Sequence, residues 1–328
     1  MGPLVSYASV MADSASSPGT EFALQRAQFE RVLENARRVI VGKDDVIRRV
    51  LIAFAARGHV LLRDVPGVGK TMLARALAAS FGCRFRRIQF TPDLLPMDVL
   101  GGNVFNLRHK AFEFQAGPVF SHVLLADEIN RATPKTQSAL LEVMEERQVT
   151  IEGTTHPIEP PFVVIATMNP LEDEGTYPLP AAQIDRFMMQ LAMGYPAPEA
   201  EARMLDVHLG ADPVVADLSP VASRDDFLGW QRSVPLVFVS DELKRYAVSL
   251  IEALRRDVRN IRPVSPRSTI QLVRAAQARA MLDGRGFVAA EDVKALAADV
   301  LSHRLGASDG TTSSALVDEA LRKVPVPA

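Results

Sequence analysis

Asp64-Val65-Pro66-Gly67-Val68-Gly69-Lys70-Thr71 follows the apolar stretch His59-Val60-Leu61-Leu62 and precedes a helical stretch at 71–81. Strand, glycine loop, Gly-Lys-Thr and helix, in that order, form a phosphate cradle. Gly67 and Gly69 let the backbone turn its N–H groups toward an anion, and the helix presents its N-terminus to the same anion. Lys70 is expected to reach the β- and γ-phosphates of ATP, and Thr71 to hold Mg²⁺. Pro66, Val68 and Met72 complete the expected contacts to ATP or ADP. The first glycine of the usual G-x-x-x-x-G-K-[ST] pattern is replaced by Asp64. A glycine turn with a chance Gly-Lys-Thr would need neither the strand before it nor the helix after it.

A second motif lies downstream. Val123-Leu124-Leu125-Ala126 is a buried-type strand that ends in Asp127-Glu128. Carboxylates at the C-terminal end of a strand face the ligand crevice of an α/β sheet. Asp127 is expected to hold Mg²⁺ largely through water, because that ion keeps part of its hydration shell. Glu128 is expected to polarise the attacking water as general base. A third buried stretch, 162–167, ends at Met168-Asn169-Pro170. There the Asn169 amide can position water beside the γ-phosphate without adding charge. Either motif alone would pass for a polar turn after a strand; the phosphate loop upstream favours chemistry.

The rest of the chain fits around these stretches. Its 328 residues suit one domain of about 170–200 residues and a smaller one. Residues 1–20 are rich in Ser, Ala, Pro and Gly and read as a disordered leader, native or left by cloning. Residues 21–195 alternate helices (22–39, 44–57, 71–81, 134–147) with strands (59–62, 84–89, 121–126, 162–167, 187–192). That pattern predicts an α/β fold with a mainly parallel sheet between helices. Thr133-Pro134 is expected to cap the helix that begins there, and 148–158 to form a hairpin at Gly153. From 196 to 328 the strand signal disappears. Helices at 198–209, 224–233, 240–257, 266–282, 290–304 and 311–323 predict a separate helical domain, with a loop at 210–223.

Composition removes several classes of function. The formal net charge is −2, and one Trp and four Tyr do not interleave with a basic stripe, so nucleic acid is not the expected partner. No apolar run reaches the roughly 18 residues that span a bilayer. The single cysteine, Cys83, permits no intrachain disulfide and reads as a space-filler after the phosphate-loop helix; a cytoplasmic location is expected. His59 reads as strand-end packing, and His109, His122, His156 and His303 have no metal-ligand spacing.

DVPGVGKT (64–71), LLADEINRATPKTQSALLEVMEERQVT (124–150), ATMNP (166–170), EGTYPLPAAQIDRF (174–187) and SPRST (265–269) resemble, in this order, the MoxR family of AAA+ ATPases. The resemblance covers about Val41 to Leu305. It implies a P-loop NTPase sheet sandwiched by helices and followed by a helical lid. It also implies that Asn169 is the sensor-1 residue and Arg186 a finger reaching a neighbour's γ-phosphate. Arg267 would be sensor 2, acting within its own subunit or on a neighbour's nucleotide. Val41-Gly42 would lie near adenine. Residues 92–119 would be the helix-2 insert and 148–158 the pre-sensor-1 hairpin. Ala181 stands where an acidic residue is expected. Arg186 and Arg267 could instead serve only salt bridges, and for Arg131 a structural and a functional reading are evenly matched.

The resemblance further implies an ATP-hydrolysing, chaperone-like motor assembled as a homo-oligomeric, hexameric ring. It would remodel or activate a client protein complex, for example by metal or cofactor insertion. A partner carrying a von Willebrand factor A domain is implied. Two other readings stay open: the motor subunit of a metal chelatase, and a binding module gated by slow hydrolysis.

Overall fold

The buried stretches around the two motifs become neighbouring strands. In a computed structural model, which describes residues 18–169, 175–208, 218–308 and 310–327, they join one parallel sheet of five strands. The strands are β1 (Val60–Arg63), β2 (Phe85–Gln89), β5 (Val123–Asp127), β8 (Val163–Met168) and β9 (Met189–Leu191), in the order β2-β5-β8-β1-β9. Register pairs Val60 with Ile165, Leu125 with Ile165 and Gln89 with Asp127, so the C-terminal ends of β1, β2, β5 and β8 meet along one edge. That edge is where α/β sheets bind ligands.

Both faces of the sheet are covered, and alternate residues of the same strands divide between them. Val60, Leu62, Val123, Leu125, Val163 and Ile165 enter one core. Leu61, Leu124, Ala126, Val164 and Ala166 enter the other. The first core is closed by α1 (Pro18–Arg37), α2 (Asp44–Ala55) and α3 (Lys70–Ser80). The second is closed by α5 (Pro134–Glu146) and the short α4 (Pro96–Leu100). Helix α1 begins inside the segment read as leader; residues 1–17 lie outside the described residues. Thr133 occupies the cap position of α5, but its hydroxyl meets the Thr136 hydroxyl at 3.3 Å and makes no cap bond to a backbone N–H.

Two antiparallel hairpins project from the α/β layers. One joins β3 (Gly101–Asn106) to β4 (Ala111–Ala116), within the segment that resembles the helix-2 insert. The other joins β6 (Gln148–Ile151) to β7 (Thr154–Pro157). After the four-residue α6 (Ala181–Ile184) and β9, helices α7 (Pro198–His208), α8 (Arg224–Ser233), α9 (Asp241–Arg256), α10 (Pro266–Leu282), α11 (Ala290–Leu301) and α12 (Ser313–Lys323) follow. Most of the expected loop at 210–223 lies outside the described residues.

The helical segment does not keep a core to itself. Phe227 of α8 stacks against Phe81 and Phe54, with ring centroids 4.7 Å and 5.6 Å apart, and Trp230 meets Phe81 edge-on and Phe29 at a tilt. Helices α1 and α2 present one apolar face to the sheet side and another to the lid, so the first core runs through both. Amphipathic spacing identifies such a face without identifying what packs on it. Cys83 is buried in this core, and burial pushes its thiol up to about 12.

His59 packs at the start of β1. Its Nε2 lies 3.1 Å from the Met144 carbonyl, and its Nδ1 accepts the Val164 N–H at 2.9 Å. These partners require the neutral ring, and burial holds its pKa down to about 3, from an ordinary 6.5. The stabilisation is therefore complete above pH 6.5 and is lost as pH falls from there toward 3. Melting temperatures measured at pH 7 and pH 5 should drop less in His59→Gln than in the wild type; an equal drop would show that His59 is not a source of the acid sensitivity.

Candidate functional site

The phosphate loop leaves β1 at Asp64, and the structure explains the residue that departs from the pattern. Asp64 is buried. Its Oδ1 accepts the Val65 N–H at 2.8 Å and its Oδ2 the Gly194 N–H at 2.6 Å, tying the loop to the chain beyond β9. Gly67 and Gly69 have φ of +85° and +92°, a region L-residues rarely adopt. A Cβ at Gly67 would meet nothing within 4 Å, so the cradle is open on that side. Gly69 caps α3 without a side chain, which leaves the first N–H groups of the helix to a ligand. The Lys70 ammonium spans the loop, donating to the carbonyls of Asp64 at 2.8 Å and Val65 at 3.2 Å.

Across the cleft stand the carboxylates. Asp127 Oδ1 accepts the Thr167 hydroxyl at 2.5 Å, and Oδ2 accepts Arg87 Nη2 at 2.7 Å and Nε at 3.0 Å. Glu128 has a left-handed φ of 56°, and its N–H donates to the same Thr167 oxygen at 2.8 Å. Its Oε2 accepts Gln89 Nε2 at 2.7 Å and pairs with Arg131 Nε at 2.9 Å. Pro66, Gly67, Gly69, Lys70, Thr71, Met72, Asp127, Glu128 and the buried Asn169 line one cavity of about 360 Å³ with Arg87 and Gln89. The cleft thus offers a hydroxyl and a carboxylate for a hydrated divalent cation, N–H groups and an ammonium for phosphate, and a second carboxylate for water.

Beside it a mostly apolar cavity of about 250 Å³ is lined by Val39, Ile40, Val41, Val68, Met72, Met193, Tyr195 and Pro196. It shares Pro66, Gly67, Gly69 and Met72 with the first, which suits a base joined to phosphates. Gly42 does not line it. Gly42 has φ +72°, and a Cβ there would stand 2.7 Å from that of Ala200 in α7. The residue serves close packing of the lid against the base pocket.

Arg186 and Arg267 are brought together elsewhere. Arg186 Nε lies 3.1 Å from Glu145 Oε2, and Arg267 Nη2 2.5 Å from Glu145 Oε1. Both line a cavity of about 510 Å³ with Glu145, Ala181 and Asp185 that shares no lining residue with the phosphate cleft. Arg87 and Gln89 lie outside the motifs, and Thr167 and Glu145 lie within them without a role that the sequence assigns. Gln89 is the end of a strand, but that it pairs with Asp127 follows from strand order, which sequence spacing does not show.

Residues 59–189 match the profile of the "ATPase family associated with various cellular activities (AAA)", and residues 262–321 that of the AAA lid domain. The chain is 42% identical to Chaperone MoxR1 of Mycobacterium tuberculosis over 300 residues, 89% of this chain and 78% of that protein. It is 35% identical to Protein MoxR of Paracoccus denitrificans, covering 92% of this chain and 97% of the other. The chain belongs to the MoxR family of AAA+ ATPases. It is therefore an enzyme that hydrolyses ATP. Similarity extends to the uncharacterised protein YeaC of Bacillus subtilis, 47% identical over 90% of this chain and 94% of that one. A crystal structure of a candidate ATPase from Cytophaga hutchinsonii superposes with a TM-score of 0.87 at 38% identity, over 94% of this chain and 98% of that one. No described helix is long and apolar enough to cross a membrane.

Gly42→Ala is expected to cost about 1–3 kcal/mol, from a left-handed backbone and the approach of Ala200. It should also weaken ATP binding several-fold by displacing α7 from the base pocket. Calorimetric melting and nucleotide titration together check this, and unchanged affinity would separate Gly42 from the site.

Proposed function

We propose that this ATPase works as a ring in which each nucleotide lies between two subunits, and that it uses the turnover to remodel a client protein complex. The observation that carries the proposal is the separation of the two halves of the chemistry. Lys70, Asp127 and Glu128 line one cavity, while Arg186 and Arg267 line another and are held there by Glu145. A neighbour's arginines would complete the phosphate cleft, and Glu145 stands in for the phosphate until a neighbour presents one. On this reading Arg267 also acts across the interface.

Within the cleft, Lys70 and the loop N–H groups hold the β- and γ-phosphates in place. Thr71 and Asp127 would hold Mg²⁺, which would supply neutralisation of charge on the phosphate oxygens. Asn169 orients the attacking water, and Glu128 takes its proton. Gln89 and Arg131 hold the Glu128 Oε2, which orients the carboxylate toward the cleft. The β3–β4 hairpin exposes Val104, Phe105, Leu107 and Phe112, an apolar tip fit to grip a client. A partner with a von Willebrand factor A domain belongs to this reading through the family.

Glu128→Gln should bind ATP normally and turn over about 10²–10⁴-fold more slowly, the usual worth of general-base catalysis. Near wild-type turnover would remove Glu128 from that role. As a trap it should also retain client and partner in a pull-down. Arg186→Ala and Lys70→Ala should each be nearly inactive, since fingers contribute about 10³–10⁵ in other NTPases. Mixing the two should restore activity where an intact loop meets an intact finger. No gain after confirmed subunit exchange would count against a ring-completed site.

A further inference from the structure

The segment that carries Arg186 is gripped by a buried arginine of the lid. Arg304 follows α11 in a single 3₁₀ turn (Ser302–Arg304) and is 5% exposed. Its Nε donates to Asp185 Oδ1 at 2.7 Å, and its Nη2 to the Phe187 carbonyl at 2.6 Å and the Asp185 carbonyl at 3.4 Å. Its Nη1 reaches the Met188 carbonyl at 3.4 Å, and the Gln271 side chain and Val300 carbonyl take further bonds. The lid adds two more holds. Ser265 Oγ donates to Asp185 Oδ2 at 2.9 Å, and His303 Nε2 lies 3.1 Å from the Phe187 carbonyl. Both Asp185 oxygens and the carbonyls of residues 185, 187 and 188 are therefore bound by lid residues, while the Arg186 side chain points away to Glu145.

We propose that Arg304 is the positioning residue for the Arg186 finger, so that the lid of one subunit sets the chemistry in the site of the next. This rests on the ring-completed reading above. Stability alone does not call for such a residue. A buried ion pair is often matched or bettered by apolar side chains of similar volume, and what it adds is a fixed geometry. The geometry fixed here is that of residues 185–188. The planar guanidinium binds a carboxylate and three carbonyls in one arrangement, which a lysine cannot reproduce. The helices that supply the grip are those that flank the finger cavity: Ser265 caps α10, Arg267 lies in its first turn, and Arg304 follows α11. Displacement of these helices carries Arg186 and Arg267 together.

Directional complementation tests this. Arg304→Lys alone should lose about tenfold or more in ATP turnover, because small misplacements of a catalytic group are costly. Its ATP affinity should stay within about twofold of wild type, since its own cradle is intact. Mixed with Lys70→Ala, which contributes a sound lid and finger, it should regain activity. Mixed with Arg186→Ala it should not, because both are defective on the finger side. Failure of the control pair, Arg186→Ala with Lys70→Ala, would overturn the ring-completed site and this inference with it. If the control succeeds, wild-type turnover by Arg304→Lys overturns the positioning role alone, as does equal rescue by Arg186→Ala. Should Arg304→Lys not fold, Ser265→Ala takes its place. It removes one bond to the same Asp185 carboxylate, and a loss of about twofold or more, rescued only by Lys70→Ala, is required. No loss, or rescue by both, overturns the proposal.

Discussion

The parallel pairing of β5 with β8, and of β8 with β1, is what the rest of the molecule depends on. It sets Thr167 beside Asp127, where one hydroxyl donates to the Asp127 carboxylate and accepts the Glu128 N–H. The left-handed turn at Glu128, which costs an L-residue about 1–2 kcal/mol, is held open by that second bond. Pairing of β8 with β1 also lets the Met168 carbonyl accept the Asp64 N–H, so the first residue of the phosphate loop, directly after β1, is tied to the strand that Asn169 follows. Backbone ladders in a buried sheet have no solvent alternative, so this pairing is costly to break.

The charged side chains singled out at the two cavities each have a polar partner. Lys70 is bonded to loop carbonyls, Asp127 to Arg87, Glu128 to Arg131, and both lid-side arginines to Glu145. Each pairing is one a nucleotide or its cation would replace. Exchanging one ionic partner for another avoids exposing a half-buried charge without a counterion, which is the costly state.

Much of this was legible in the chain. The strands that lead to Asp64, Asp127 and Asn169 are short and mostly apolar, and polar residues follow at their C-terminal ends, so position and chemistry coincide in the sequence. The lid helices were equally plain, because α8 to α11 begin at a Ser or Ala followed within three residues by acid or proline. What stayed hidden depends on contacts between distant segments. Arg87 lies on a strand whose neighbour is set by sheet order. Glu145 looks like any exposed acid of an amphipathic helix. Arg304 sits in a basic helix end, where the sequence offers no reason to expect burial. The shared core between lid and sheet was hidden too, since Phe54, Phe81 and Phe227 meet only in three dimensions.

That shared core bears on how movement could pass between sites. Helix α3 runs from Lys70 in the glycine loop to Ser80, and the next residue, Phe81, stacks on Phe227 of the lid. One end of the helix borders the loop and the other is packed in an interior that resists compression. The lid in turn holds residues 185–188 through Arg304 and Ser265. A packed route thus runs from the phosphate loop through the lid to Arg186. A signal along it requires no loose hinge, only two arrangements of the lid against the sheet that nucleotide favours unequally.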